Sequence, residues 1–149
     1  MNTSNPIRDH RRGATLVEGA LVMMILFVTL FGIFDFGLAV VRQNMLDEAA
    51  YRLARAGAIR GEDSQLDQWG PVTIESVLGD EPDLLSVIGP ANYLIDTRLV
   101  NVRMAWEEGM ATTNSELTVT LQYNQPLLLG GLWGVPSIPL ASRVVERIE

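Results

Sequence analysis

The chain has 149 residues, enough for about one ordinary domain, with 48% hydrophobic residues, 19% charged residues and a net charge of −7. This composition argues against a disordered polymer, which has few hydrophobic residues, and against a nucleic-acid binder, which is usually basic. The absence of cysteine excludes disulfides and thiolate metal sites, and the only histidine, His10, is far from any carboxylate cluster. The sequence therefore predicts neither an enzyme nor a cofactor or metal site.

The N-terminal third has the charge pattern of a membrane anchor. Three arginines, Arg8, Arg11 and Arg12, precede an apolar run from Gly19 to Val41 that contains one charged residue. As a helix, this run would be about 35 Å long and would cross a hydrocarbon core of about 30 Å. The position of the arginines predicts a cytoplasmic N-terminus and an exported C-terminal region. A secretory signal is disfavoured, because its apolar region would be shorter and would end in a small-residue cleavage site.

Glu18 lies at the start of the apolar run, where a charge is costly in lipid. It is either hydrated at the level of the lipid headgroups, or it pairs with an amino group created by cleavage after Gly13. Cleavage would place the new α-amino group on Ala14, four residues before Glu18. Residues i and i+4 share a helix face, so the carboxylate would neutralise its own terminus or that of a neighbouring subunit.

The segment around these residues resembles known processing sites. Type IV prepilins have a short basic leader that ends in glycine, with glutamate at the fifth position of the mature chain, and this pattern is similar to RRGATLVEGALV. The continuation resembles the TadE-like pseudopilins of the tight-adherence system, as seen in LFGIFDFGLAVVRQNMLDEAAYRLARAGA. The resemblance implies that residues 1–13 are a leader, that a prepilin peptidase cuts between Gly13 and Ala14, and that Glu18 is the pilin-type glutamate.

The same resemblance implies the partners and the location of the protein. The partners would be the lipid bilayer, a prepilin peptidase, other pilin or pseudopilin subunits and the assembly platform of the bacterial inner membrane. The chain would cross that membrane once, with its C-terminal domain exported, and would be a candidate for incorporation into the pilus.

Asp35 is the charged residue within the apolar run. It is either an interfacial carboxylate that faces water or a polar contact to another membrane helix, since intramembrane acids usually face protein. Gly32, Gly37 and Ala39 would let a partner helix approach closely, although no strict G-x-x-x-G motif is present.

Beyond the membrane segment 14–41, helical periodicity continues through a stalk at 42–60. Small and apolar residues recur there at spacings of three and four, and Glu48 and Arg52 form an i, i+4 pair. The apolar stripe packs either on the exported domain or on neighbouring helices of an assembly. A connector with short helices follows at 61–97, including a predicted helix from Pro71 to Gly79. Asp80 to Asp83 read as a solvated acidic turn, because their spacing lacks the calcium-loop pattern.

The region 98–149 predicts a small antiparallel sheet. Apolar and polar residues alternate from Val100 to Trp106 and from Leu117 to Tyr123, and a third strand is predicted from Ser142 to Ile148. The apolar loop 126–139 is too short and too rich in glycine and proline to span a bilayer. It either covers a small core or forms an exposed interaction patch anchored by Trp133.

These predictions describe an α+β, pilin-like protein in which a membrane-spanning helix continues into an exported stalk and packs with the sheet. The resemblance favours a minor pilin or pseudopilin that helps initiate or regulate assembly of a tight-adherence pilus. The alternative is a single-pass anchor that does not polymerise and whose exported β domain binds a partner. The two differ at the mature N-terminus, which would be Ala14 for the pseudopilin and Met1 for the anchor.

Overall fold

The structure is a computed structural model that describes residues 7–60, 69–89, 94–107, 111 and 114–148, without the side chains of 7–12, 132 and 133. One long helix packs against a four-stranded antiparallel sheet, so the predicted α+β class is confirmed. The helices are α1 (Ile7–Ile59), α2 (Pro82–Ile88) and α3 (Gly130–Trp133). The strands are β1 (Ile74–Val77), β2 (Val100–Trp106), β3 (Glu116–Pro126) and β4 (Ser137–Arg147).

Helix α1 contains 53 residues, which corresponds to about 80 Å. Its segment from Gly13 onward is long enough and apolar enough to cross a membrane, and its most apolar window is not buried within the described structure. The helix ends at Ile59, one residue before the predicted end of the stalk at Arg60. The polar connector at 61–68 lies outside the described residues.

The four strands follow one another in the sheet in chain order, and each pair is antiparallel. Residues opposite each other include Val102 and Leu121 on β2 and β3, and Leu121 and Ser142 on β3 and β4. Because strand residues alternate between the two faces, every second residue of β2 and β3 is buried. This buried face covers the second half of α1.

The core lies between that sheet face and the stalk portion of α1. Helix residues at spacings of three and four provide one side of it, and the sheet provides the other. The predicted apolar stripe therefore packs on the chain's own sheet. The central residues of the core are Leu46, Ala50, Leu53, Val100, Val102, Met104, Leu117, Val119 and Leu121.

Two parts of the sequence interpretation require correction. The predicted helix from Pro71 to Gly79 is wrong: Ile74–Val77 form edge strand β1, followed by a 3-10 turn at Leu78–Asp80. The β-branched residues of this segment favour a strand, and a proline before it is acceptable at a sheet edge. The apolar loop is shorter than predicted, because β3 extends to Pro126 and β4 starts at Ser137.

Candidate functional site

The first part of α1 has no cover from its own domain. Every residue from 13 to 27 is exposed, including Gly13, Ala14 and Glu18. A Cβ atom built on Gly13 or on Gly19 would meet nothing within 4 Å. The predicted cleavage point and the predicted pilin-type glutamate thus lie on the same uncovered stretch of helix.

Asp35 marks the point at which the domain begins to contact the helix. Its side chain is only 7% exposed. The backbone N–H of Leu128 donates to Asp35 Oδ1 at 2.9 Å and to Oδ2 at 3.1 Å, and the N–H of Leu129 donates to Oδ2 at 3.3 Å. A buried carboxylate needs such partners, since burial of an unpaired charge is very costly.

This geometry corrects the interpretation of Asp35 as a carboxylate that faces water. Its partners are also not those of the alternative, another membrane helix, because the donors belong to the chain's own β3–β4 loop. Intramembrane acids usually face protein, and here the protein is a loop more than 90 positions away in the sequence.

The β3–β4 loop, residues 127–136, is folded around its own hydrogen bonds. The N–H of Leu127 donates to the carbonyl oxygen of Pro136 at 3.0 Å, and the N–H of Val135 donates to that of Gly130 at 3.0 Å. A Cβ atom on Gly130 would collide with the carbonyl oxygen of Val135, so the loop can close this tightly only with glycine there. The closed loop turns the amides of Leu128 and Leu129 towards Asp35.

Arg42 lies seven residues after Asp35 on the same face of α1 and also binds groups of the domain. Its Nε donates to the carbonyl oxygen of Leu94 at 2.8 Å, and its Nη1 donates to Oε1 of Gln125, a fully buried residue. The guanidinium also lies 5.7 Å from the centroid of the Tyr123 ring, within the range of a cation–π contact. Gln43 adds a bond from its Nε2 to the carbonyl oxygen of Ala141 on β4, at 2.9 Å.

We call Asp35, Arg42 and Gln43 the helix clamp. All three are polar residues of α1 that bind backbone or side-chain groups of the loop and the strands. Below the clamp, the contact between α1 and the sheet is apolar. The clamp therefore joins the loop and the adjoining strands to α1 by polar contacts.

An apolar cleft of about 350 Å³ lies beside Asp35, between α1 and the loop. Among the described residues that line it, Asp35 is the only charged one. Its helix wall is formed by Val28, Gly32 and Phe36, and its loop wall by Leu127, Leu129, Gly130 and Ile138.

Residues 13–55 match the family model described as TadE-like protein. The match covers 43 of the 149 residues and confirms the resemblance of this segment to TadE-like proteins. The TadE-like segment contains the predicted processing site, Glu18 and the complete helix clamp. No curated protein and no solved structure matches the chain significantly.

The structure brings together some of the predicted site residues and separates others. Gly13, Ala14 and Glu18 share one end of α1, whereas Asp35 lies at the loop. Trp133 ends helix α3 in this loop, and its side chain lies outside the described part. Among the described residues, no three histidine or acidic side chains are grouped as a metal ion would require.

Arg42 and Gln43 are clamp residues that the sequence interpretation missed. A signal for Arg42 was present, because Asp35, Ala39, Arg42 and Leu46 continue the three- and four-residue spacing of the stalk stripe. Continued periodicity predicts that the polar residues lie on the buried face. Their partners on the strands have no comparable signal.

Proposed function

We propose that the chain is a minor pilin or pseudopilin of a tight-adherence pilus, processed by a prepilin peptidase and active in the initiation or regulation of assembly. The observation that carries this proposal is the uncovered stretch 13–27 of α1, within the TadE-like segment. An apolar helix surface of this length needs lipid or other helices around it. A subunit that is first stored in a membrane and then added to a helical bundle uses both environments.

Cleavage between Gly13 and Ala14 removes the arginines of the leader and leaves a new α-amino group. Glu18 lies one helical turn further along, on an exposed part of α1. In a bundle, this carboxylate pairs with the amino group of its own chain or of a neighbouring subunit. The pair lowers the cost of moving both charges out of water, since buried charges require partners.

During assembly, the helix clamp couples the movement of α1 to the movement of the exported sheet. When the assembly platform moves the helix out of the inner membrane, the exported sheet moves with it, because Asp35, Arg42 and Gln43 bind its near edge. The sheet then forms the outside of the fibre or its base, while residues 14–27 enter the bundle.

Processing is tested with a matched pair of glycine substitutions. Gly13→Leu and Gly19→Leu each place a side chain in open space on α1, so neither disturbs the fold. In cells with an active prepilin peptidase, Gly13→Leu should leave the intact precursor, whereas Gly19→Leu should be cut like the wild type. Intact mass and N-terminal sequencing measure the outcome. A wild-type chain that starts at Met1 would instead support the anchor that does not polymerise.

A second arm tests the role of Glu18 in assembly. Glu18→Gln removes the charge at nearly constant size and should be cut normally, because the cleavage point is unchanged. The variant should stay in the membrane fraction and be depleted from sheared pili, while the control Glu48→Gln on the stalk should assemble normally. Equal recovery of both variants in sheared pili would contradict the charge-pairing step.

A further inference from the structure

The β3–β4 loop lies beside α1 at a depth that a membrane would occupy. The cleft described above joins the loop to Val28, Gly32 and Phe36 of the helix. At 1.5 Å per residue, Val28 is about 15 Å and Phe36 about 27 Å beyond Glu18 along the helix axis. If Glu18 lies at the inner headgroups, Val28 lies at the middle and Phe36 in the outer half of a hydrocarbon core of about 30 Å. A span that starts at Ala14 moves Val28 to about 21 Å, within the outer half, and Phe36 to about 33 Å, just beyond the core.

The surface of the loop is apolar and uncharged, as a position in the hydrocarbon core requires. The sequence contains no charged residue between Glu116 and Arg143. Large apolar side chains point outward from the loop and its flank: Leu128 is 69% exposed, Val135 50% and Ile138 38%. This apolar surface continues the exposed apolar surface of α1 without an intervening charge, because Asp35 is buried between them.

Backbone N–H groups of the loop also have the hydrogen-bond partners that an environment without water requires. Hydrocarbon offers no hydrogen-bond partners, so irregular backbone is tolerated there only when its polar groups are paired. The N–H groups of Leu127, Gly130 and Val135 bind carbonyl oxygens of the loop itself. Those of Leu128 and Leu129 bind the Asp35 carboxylate. Pro136 removes a further donor from the loop, and Pro126 and Pro139 remove donors from the adjoining ends of β3 and β4.

From these observations we propose that the β3–β4 loop inserts into the outer leaflet of the bilayer while the chain is stored in the membrane. The loop contacts lipid acyl chains, which also surround the adjoining surface of α1. Asp35 has a double function in this arrangement: it accepts the amides that lipid would leave unpaired, and those amides stabilise its charge. The domain thereby has a second contact with the membrane besides the helix. The proposal rests on the spanning helix of the proposed function and not on cleavage at Gly13.

Site-directed spin labelling of the full chain tests this depth. The chain lacks cysteine, so each introduced cysteine gives a single label. Leu128→Cys and Val135→Cys probe the loop, Leu26→Cys serves as the lipid control, and Val72→Cys, 77% exposed on the exported domain, serves as the water control. The labelled proteins are reconstituted into vesicles of phosphatidylethanolamine and phosphatidylglycerol. Collision with oxygen, which concentrates in lipid, is compared with collision with a water-soluble nickel chelate.

We expect an oxygen-to-nickel accessibility ratio at both loop positions that is close to that of Leu26→Cys and several-fold higher than that of Val72→Cys. A ratio like that of Val72→Cys at either loop position would overturn the proposal. Protection of the loop labels from both reagents, with spin–spin broadening that disappears on dilution with unlabelled protein, would also overturn it, because a second copy would then cover the loop. Precursor and mature protein should give the same ratios, so failure here is distinct from failure of processing.

Discussion

The two halves of α1 are continuous in backbone but opposite in their surroundings. Residues 13–27 are exposed on every side, whereas from Asp35 to Ala58 one face is buried under the loop and the sheet. Both halves contain many apolar residues, but charged residues are sparse in the first half and frequent in the second. The difference lies in residue size and in the spacing of polar residues.

The first half carries large side chains around its circumference, and the second carries many small ones on its buried face beside Leu46 and Leu53. Ala49, Ala50 and Ala54 let the sheet approach the helix backbone, while polar residues occupy the opposite face. The first half thus suits an environment that is apolar on all sides, and the second suits one defined partner. One helix can therefore belong to the membrane or fibre and to the domain at the same time.

The largest contrast between the halves is expected for leucine truncation. Leu53 is fully buried in the core, so Leu53→Ala should lower the free energy of unfolding of the domain by about 2–5 kcal/mol. Leu26→Ala, in the uncovered half at 56% exposure, should leave the domain unchanged. Denaturant unfolding of the full chain in detergent micelles, followed by the fluorescence of the buried Trp69 and Trp106, measures both. An equal loss for the two variants would show that the halves are not independent.

The boundary between the halves is tested at Asp35. Asp35→Asn keeps the size of the side chain but replaces the carboxylate with a neutral amide that accepts more weakly. We expect a loss of about 1–3 kcal/mol in the free energy of unfolding, the usual cost of a weakened bond to a charged group. Hydrogen exchange at the amides of Leu128 and Leu129 should rise, because these amides donate to Asp35.

The control for this variant is Glu18→Gln, which changes an exposed carboxylate on the same helix. It should leave the exchange of the loop amides unchanged. Slow exchange of both amides in Asp35→Asn would mean that the loop is held by its internal hydrogen bonds and that the carboxylate contributes little.

The sequence predicts the regular elements well because their signals are local. Alternation from Val100 to Trp106 predicts β2 with the bounds that the structure has. The small-residue stripe of the stalk predicts which face of α1 is buried. Pro71 to Gly79 is misinterpreted because a proline start and a glycine end are typical of a short helix and also of an edge strand between turns. The β-branched residues of that segment were the stronger signal.

The contacts of the helix clamp are not predictable in the same way. Asp35 and Leu128 are 93 positions apart, and the groups that bind the carboxylate are backbone amides, which every residue except proline possesses. No pattern of side chains encodes that partner. Arg42 and Gln125 are 83 positions apart, and their pairing follows only once β3 lies on the helix. The charge of Asp35 indicates that a partner must exist, and the fold decides which one.

The smallest expected contrast concerns two glycines of α1, Gly57 on its buried face and Gly37 at an exposed position. A Cβ atom on Gly57 would collide with the side chain of Leu117 and lie 3.0 Å from Cε of Met104, whereas on Gly37 it would meet nothing within 4 Å. Gly57→Ala gains up to about 1 kcal/mol in helix propensity but loses about 1–3 kcal/mol through overpacking. The net change should be a small destabilisation.

Gly37→Ala has the same gain in helix propensity without the collision and should be neutral or slightly stabilising. Unfolding of both variants in detergent micelles, under the conditions used for Leu53→Ala, gives the difference directly. Leu117→Val in the Gly57→Ala background should recover part of the loss, because it shortens the side chain that the new methyl group strikes. Equal stability of Gly57→Ala and Gly37→Ala would mean that the sheet can move away from the helix. In that case the apolar interface would be compliant, and the helix clamp would be the part that fixes the domain to α1.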